Sequence, residues 1–326
     1  MKLQTRQRRQ SGIALISAVL VVALTAIAAV ALTESIQLST QRTANIMMAD
    51  QRYLYTLGSE AWARGQLVRD LNNDATYDAL NEDWAKELPL TLIETGQVYA
   101  RTTDLQGRFN LNNLYRPETT ETDTTDESNL QIELFQRLLT LLELDLNIAQ
   151  ATSDWLDQDI QPQFPDGAED NEYLGLNPPY RTANTRMGDV SELRLVKDVT
   201  HDVYTKLQPY ITALPESTTI NVNTASDILL RALLPSLDEA SAEAVISERD
   251  ESPFKDTKSF TERLEPLLNE EDKLNLAKLE PLLSVSSNYY QLETTVRMDN
   301  VDQSLFSQLH KDQRGVSVVS RTIGIF

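Results

Sequence analysis

The 326-residue chain has no cysteine, which excludes disulfides and thiolate metal sites at once. Histidine is almost as scarce. With only His201 and His310, a histidine-based zinc site or a Ser/His/Asp triad would need an isolated histidine to find distant partners. Positive charge is short too: 29 lysines and arginines face 49 acidic residues, and Lys2, Arg6, Arg8 and Arg9 all fall in the first nine positions. After Gly12 the chain carries 25 basic and 49 acidic residues, a net charge of −24. Such a body repels nucleic acid and anionic lipid and suits a divalent cation or a basic partner, although acidity also serves solubility alone. Tryptophan is limited to Trp62, Trp84 and Trp155, too scattered for the sugar cleft of a hydrolase working through paired carboxylates. The 41% hydrophobic content is enough for a real core and for division into two units.

Residues 13–32 (IALISAVLVVALTAIAAVAL) hold only Ser17 and Thr25 as polar side chains. As a helix rising about 1.5 Å per residue, this run spans about 30 Å, the hydrocarbon thickness of a bilayer. The competing reading is a secretory signal cleaved near the small residues Ala26 to Ala31. All four head cations precede the run and the first acid is Glu34, so the start lies in the cytoplasm and the body across the membrane. Gly12 stands at the border between charge and apolar run. That border is similar to the type III leader of the type IV pilin and pseudopilin class, which implies cleavage by a prepilin peptidase between Gly12 and Ile13. One departure is Ser17, where most members of that class carry a glutamate. In the class that glutamate pairs with the N-terminal amine of the subunit above, because an unpaired charge in hydrocarbon is costly. Its absence points to a subunit with none above it.

The helical pattern continues through Ile36, Ala44, Met47, Leu54, Leu57, Ala61 and Val68, with no proline before Pro89, so residues 13–71 are predicted as one helix. The alternative is a break near Gly58 or Gly65. Residues 96–102, 104–114, 289–298 and 315–326 read as strands. A sheet built from both chain ends, around a helical block, is the pattern of an inserted domain. The fold class expected is α+β, with a cytoplasmic leader at 1–12, a long helix at 13–71 and a head from 72–114 and 284–326. A mostly α insert at 115–283 opens with a polar loop (PETTETDTTD). Within it, helices are predicted over 130–146, 148–156, 190–196 and 201–210, then four short ones between 225 and 283.

The densest chemistry is DWLDQDIQPQFPDGAEDNE, residues 154–172, with seven carboxylates and no lysine or arginine in nineteen positions. Folding it draws like charges together at about 1 kcal/mol or more per close pair, a cost that a bound cation removes. Oxygen-only ligands with glutamine amides nearby suit Ca²⁺. The spacing is not an EF-hand: counting from Asp157 puts Pro162 at the glycine position and Ala168 at the bidentate glutamate position. Asp157, Asp159, Glu169 and Asp170 are the predicted ligands, with Asp154 and Asp166 in reserve; the competing reading is a solvated acidic loop. Trp155 and Tyr173 are expected as packing anchors beneath it.

Residues 220–260 resemble a helix-hairpin-helix unit, which would favour a membrane-tethered DNA-binding protein. Here the turn is Pro235-Ser236-Leu237-Asp238, without the glycine that lets backbone N–H groups approach phosphate, and residues 221–270 carry eleven acidic against five basic residues. The motif stands and its ligand does not.

The Gly12 leader with Ser17, DLQGRFNLNNL from Asp104, DWLDQD, GAEDNEY, PPYR at Pro178, SELRLVKDV from Ser191 and LQPYITALPESTTINVNTA from Leu207 occur in one order along the chain. Together they resemble the K-type minor pseudopilin of the type II (general) secretion pathway. The resemblance implies a non-enzymatic subunit in the cell inner membrane, its bulk periplasmic, that starts or caps a pseudopilus and aids passage of folded proteins across the outer membrane. The implied partners are other minor pseudopilins, the major pseudopilin, the inner-membrane assembly platform and the prepilin peptidase. It also implies calcium in the inserted domain. A minor pilin of a type IV pilus shares leader and helix and is the alternative.

Overall fold

The structure, a computed structural model, describes residues 11–73, 76–94, 96–116 and 126–325. It begins with one uninterrupted helix of 62 residues, α1 (Ser11–Asn72), about 93 Å long at 1.5 Å per residue. Gly58 and Gly65 do not break it; a Cβ at either would meet nothing within 4 Å, so both face the open side. On the opposite side Thr56, Ser59, Glu60, Ala63 and Leu67 are buried. They recur every three or four positions, so a single stripe seats the helix and offsets the roughly 1 kcal/mol that each glycine costs. Residues 13–43 are exposed throughout, and among the described residues α1 is the one helix long and apolar enough to cross a membrane. The two hydroxyls of the apolar run are satisfied within the helix: Ser17 donates to the Ala14 carbonyl (3.0 Å) and Thr25 to those of Val21 and Val22.

β1 (Leu88–Ile93) and β2 (Gly96–Asp104) start a sheet, and the chain then leaves it. β3 (Phe109–Asn110), α2 (Asp126–Leu141), α3 (Asn147–Leu156), α4 (Asp170–Tyr173), α5 (His201–Leu207), β4 (Ile211–Thr212) and β5 (Ile220–Asn221) follow. Next come α6 (Asp227–Leu233), α7 (Glu239–Glu251), α8 (Thr257–Leu264), α9 (Glu270–Leu279) and β6 (Leu283–Ser284). β7 (Tyr289–Met298), β8 (Val301–Asp312) and β9 (Gly315–Ile325) return to the sheet, which is antiparallel with order β1-β2-β7-β8-β9. β2 and β7 pair from Gly96↔Met298 to Asp104↔Tyr290, so the excursion leaves and re-enters at one end of adjacent strands. α1 finishes at that same end, where Lys311 of β8 pairs with Asp70 (3.1 Å) and Asp78. The fold is thus α+β: a long N-terminal helix, a pilin-like sheet packed on its second half, and an α-rich insert beyond the helix's C-terminal end.

The insert has its own core, in which Phe109 stacks on Phe135 at 5.2 Å. Residues 109–114, assigned to the head from sequence, belong there: Phe109, Leu111 and Leu114 are buried in the insert's core. The strand predicted over 104–114 is mostly absent, with two residues in β3 and a 3₁₀ turn at Leu111–Leu114. Asparagines explain this. Asn110 Oδ1 accepts from the N–H groups of Asn112 and Leu214, while Asn112 donates to the carbonyls of Met187 and Leu214 and accepts from Met187 N–H. Side chains thereby occupy backbone groups that a neighbouring strand would have used.

Two strands of the five-stranded sheet escape sequence reading. β1 carries Pro89 and lies at the sheet edge, where proline is tolerated. β8 faces α1 with Ser307 and Lys311 as well as Leu305 and Leu309, so its two-residue alternation is masked by buried polar groups. The turn between β7 and β8 places Asp299 (φ 50°) and Asn300 (φ 61°) in the left-handed region, as a tight hairpin requires. Helix ends also differ: α2 stops at Leu141 rather than 146, and residues 190–195 form a 3₁₀ turn.

Candidate metal centre

α3 is buried from Ala151 to Leu156, which carries the polar side chains of Ser153 and Asp154 into the interior. The chain turns extended at Asp157 and re-forms a helix at α4, whose N-cap residue Glu169 makes no capping bond with its side chain. Between them the loop wraps round Asp154: its Oδ2 accepts from Gln163 N–H (3.1 Å), and a Cβ on Gly167 would stand 2.1 Å from that oxygen. Glycine is required by that close approach. Trp155, Tyr173 and Tyr180 form an aromatic wall behind, with ring centroids 5.3 to 6.1 Å apart.

Carboxylate oxygens of Asp157, Asp159 and Glu169 lie within 4.8 Å of one another. Asp157 and Glu169 are buried and Asp159 is exposed, so the group opens to solvent on one side. One oxygen each of Asp154, Asp157 and Glu169 is buried without a hydrogen-bond partner. Among the described residues no ion pair reaches any of these four carboxylates. Burial, then repulsion from Asp159 and Asp154, pushes Asp157 up to about 7. Burial followed by Asp157 and Asp154 pushes Glu169 up to about 7, and burial raises Asp154 to about 6. A compact group with unmet acceptors, too costly to ionise unaided, fits a hard cation bound through oxygen.

Of the predicted ligands, Asp157, Asp159 and Glu169 come together and Asp170 does not. Asp170 Oδ1 accepts from the N–H and hydroxyl of Thr182, and Oδ2 faces Arg181 at 3.5 Å. Its place beside the group falls to Asp154, whose position on a buried helix face is set by tertiary packing. Asp166 is half-buried at the loop's turn. Gly12 and Ile13 lie in the first turn of α1, with Ile13 exposed.

A second acidic group, Asp70, Asp78 and Glu82, was not singled out from sequence. It carries its own cation, Lys311. Asp78 also accepts from Tyr290 hydroxyl (2.6 Å) and Ser287 N–H (2.8 Å), and Glu82 from Trp84 and Ala79 (2.8 Å each). The contrast separates a satisfied junction from an unsatisfied loop.

A membrane-length helix whose second half seats an antiparallel sheet, with a bulky insert at the far end, defines a pseudopilin-type subunit. Family profiles described as "Type II secretion system (T2SS), protein K" match residues 107–216 and 220–285. The chain belongs to the type II secretion system protein K family. It is 36% identical to the protein K of Pseudomonas aeruginosa over 98% of this chain and 94% of that one. It is 33% identical to that of Klebsiella pneumoniae over 98% of each. Its fold is similar to a chain in the crystal structure of the GspK-GspI-GspJ complex from the enterotoxigenic Escherichia coli type 2 secretion system, with TM-score 0.75, 27% identity, and 87% of this chain and 99% of that one covered.

Proposed function

We propose that this chain is the tip subunit of a type II secretion pseudopilus, starting or capping its assembly with other minor pseudopilins and acting without catalysis. The observation that carries this reading is the insert's position: it leaves the sheet where α1 ends, beside the Asp70–Lys311 pair, and so occupies the space a subunit stacked above would need. Ser17 supports it. Its hydroxyl is satisfied by Ala14 of its own helix, so the apolar half holds no charge awaiting an amine from above. Cleavage after Gly12 would free Ile13 for methylation and leave the apolar run as an inner-membrane anchor, with the body periplasmic. During assembly that run exchanges lipid for packing against the helices of the major and minor pseudopilins. N-terminal sequencing of the mature protein tests the reading: N-methylated Ile13 is expected, and a start beyond Leu32 would overturn it.

The loop is assigned to Ca²⁺, held by Asp157, Asp159 and Glu169 with Asp154 beside them. Calcium would neutralise the group and fix the loop. A Asp157→Ala/Glu169→Ala variant that keeps a calcium-dependent rise in melting temperature would remove this assignment.

A further inference from the structure

The acidic loop also holds two large apolar side chains in solvent. Phe164 is 94% exposed, more than any large apolar side chain in the bare half of α1, and Ile160 is 70% exposed. Gln163, next to Phe164, is tied inward. Its N–H donates to Asp154 (3.1 Å), its side-chain amide to Ser153 Oγ (2.9 Å) and Asp157 (3.4 Å), and its carbonyl accepts from Gly167 N–H (2.8 Å). Fixing Gln163 against the carboxylates holds its neighbour outward, so whatever orders that group also orders the display of Phe164. An exposed aromatic side chain held outward by a fixed backbone neighbour suits the anchor of a protein interface, since its display costs little further ordering on binding.

We propose that Ile160 and Phe164 form a docking tip that inserts into an apolar pocket ringed by lysine or arginine on a folded protein partner. Charge selects that partner. The loop has seven carboxylates and no basic residue over positions 154–172; a bound Ca²⁺ and the pairs of Asp170 with Arg181 and Glu172 with Lys197 offset only part of that charge, so a basic rim is attracted and an anionic lipid surface is repelled. The proposal rests on the calcium reading for the loop's order, but its contact residues are not ligands.

The test uses the full chain in cells that carry the remaining secretion apparatus and lack the native copy. Ile160→Ser/Phe164→Ser removes the anchors from open solvent, and Gln161→Lys adds a positive charge between them. The expected result is a drop of about tenfold or more in secreted enzyme for the double variant and a smaller drop for Gln161→Lys, since truncated anchors and like charges both weaken such contacts. The double variant, purified in detergent, should keep the calcium-dependent melting shift. Secretion by the double variant within about twofold of wild type, below the effect of losing an interface anchor, would overturn the proposal. So would calcium-dependent cosedimentation of wild type, but not the double variant, with phosphatidylglycerol/phosphatidylethanolamine vesicles, which would assign the tip to lipid. A wild-type chain whose melting ignores calcium sinks the calcium reading by itself, and the secretion result still decides the docking tip.

Discussion

Arg321 of β9 donates to both carboxylate oxygens of Glu60 in α1, at 2.7 and 2.8 Å, across 261 positions of chain. Ser307 completes the site with a 2.8 Å bond to Glu60. The pair pins the long helix to the last strand. Hydrogen bonding from Arg321 outweighs burial and holds the Glu60 carboxyl below its usual value. Arg321→Ala should therefore destabilise the head. Because the arginine side chain is 42% exposed, the cost is about 1–3 kcal/mol, below that of a fully buried pair. Urea unfolding checks the value. The sign follows from the lowered carboxyl: wild type gains from the pair above the ordinary glutamate range and loses it as pH falls, so the two proteins converge in acid.

The acidic loop should show the opposite dependence. Asp154, Asp157 and Glu169 are raised to about 6, 7 and 7, so the metal-free fold binds protons more tightly than the unfolded chain. The contribution of these three groups to stability without calcium is greatest below about pH 4, where both states are protonated, and falls through pH 7 by an amount on the order of a few kcal/mol. Calcium needs the ionised carboxylates, so its stabilising effect should grow over the same range. Thermal melts in chelator and in calcium, from pH 4.5 to 8, measure both trends.

Gly167 and Gly65 make a paired test. A Cβ at Gly167 would collide with Asp154 and the backbone of Gln163, so Gly167→Ala should distort the loop and abolish the calcium-dependent melting shift. At Gly65 nothing lies within 4 Å and the backbone is helical, so Gly65→Ala should be neutral or stabilising by up to about 1 kcal/mol. Melting curves with and without calcium distinguish the two.

Removing the internal cation should make the second acidic group behave like the first. Lys311→Ala leaves Asp70 and Asp78 without their shared partner, at a cost of about 3–5 kcal/mol. Millimolar calcium should restore part of the loss, since three carboxylates there lie within 4.8 Å. A calcium-dependent melting shift in this variant no larger than that of wild type would show that the group's shape depends on the lysine itself.

How much of this was legible beforehand depends on whether a signal is local. The apolar run from Ile13, the helix through Gly58 and Gly65, and the strands at Tyr289 and Gly315 are all written in near-neighbour periodicity. β8 was not, because Ser307 and Lys311 occupy inward positions and find their partners in α1. The 104–114 segment was misread because its asparagines bind backbone about a hundred residues away.

The sequence alone determined that the chain has a bilayer-length apolar helix, a cation-poor body and a densely acidic loop, since composition and short-range pattern carry each of these. Only the tertiary structure decided which carboxylates converge, that Asp154 rather than Asp170 lies beside them, and that Lys311 satisfies the second group. The physical reason is that charge compensation acts through space: Asp70 meets its lysine across 241 residues, a distance no periodicity records.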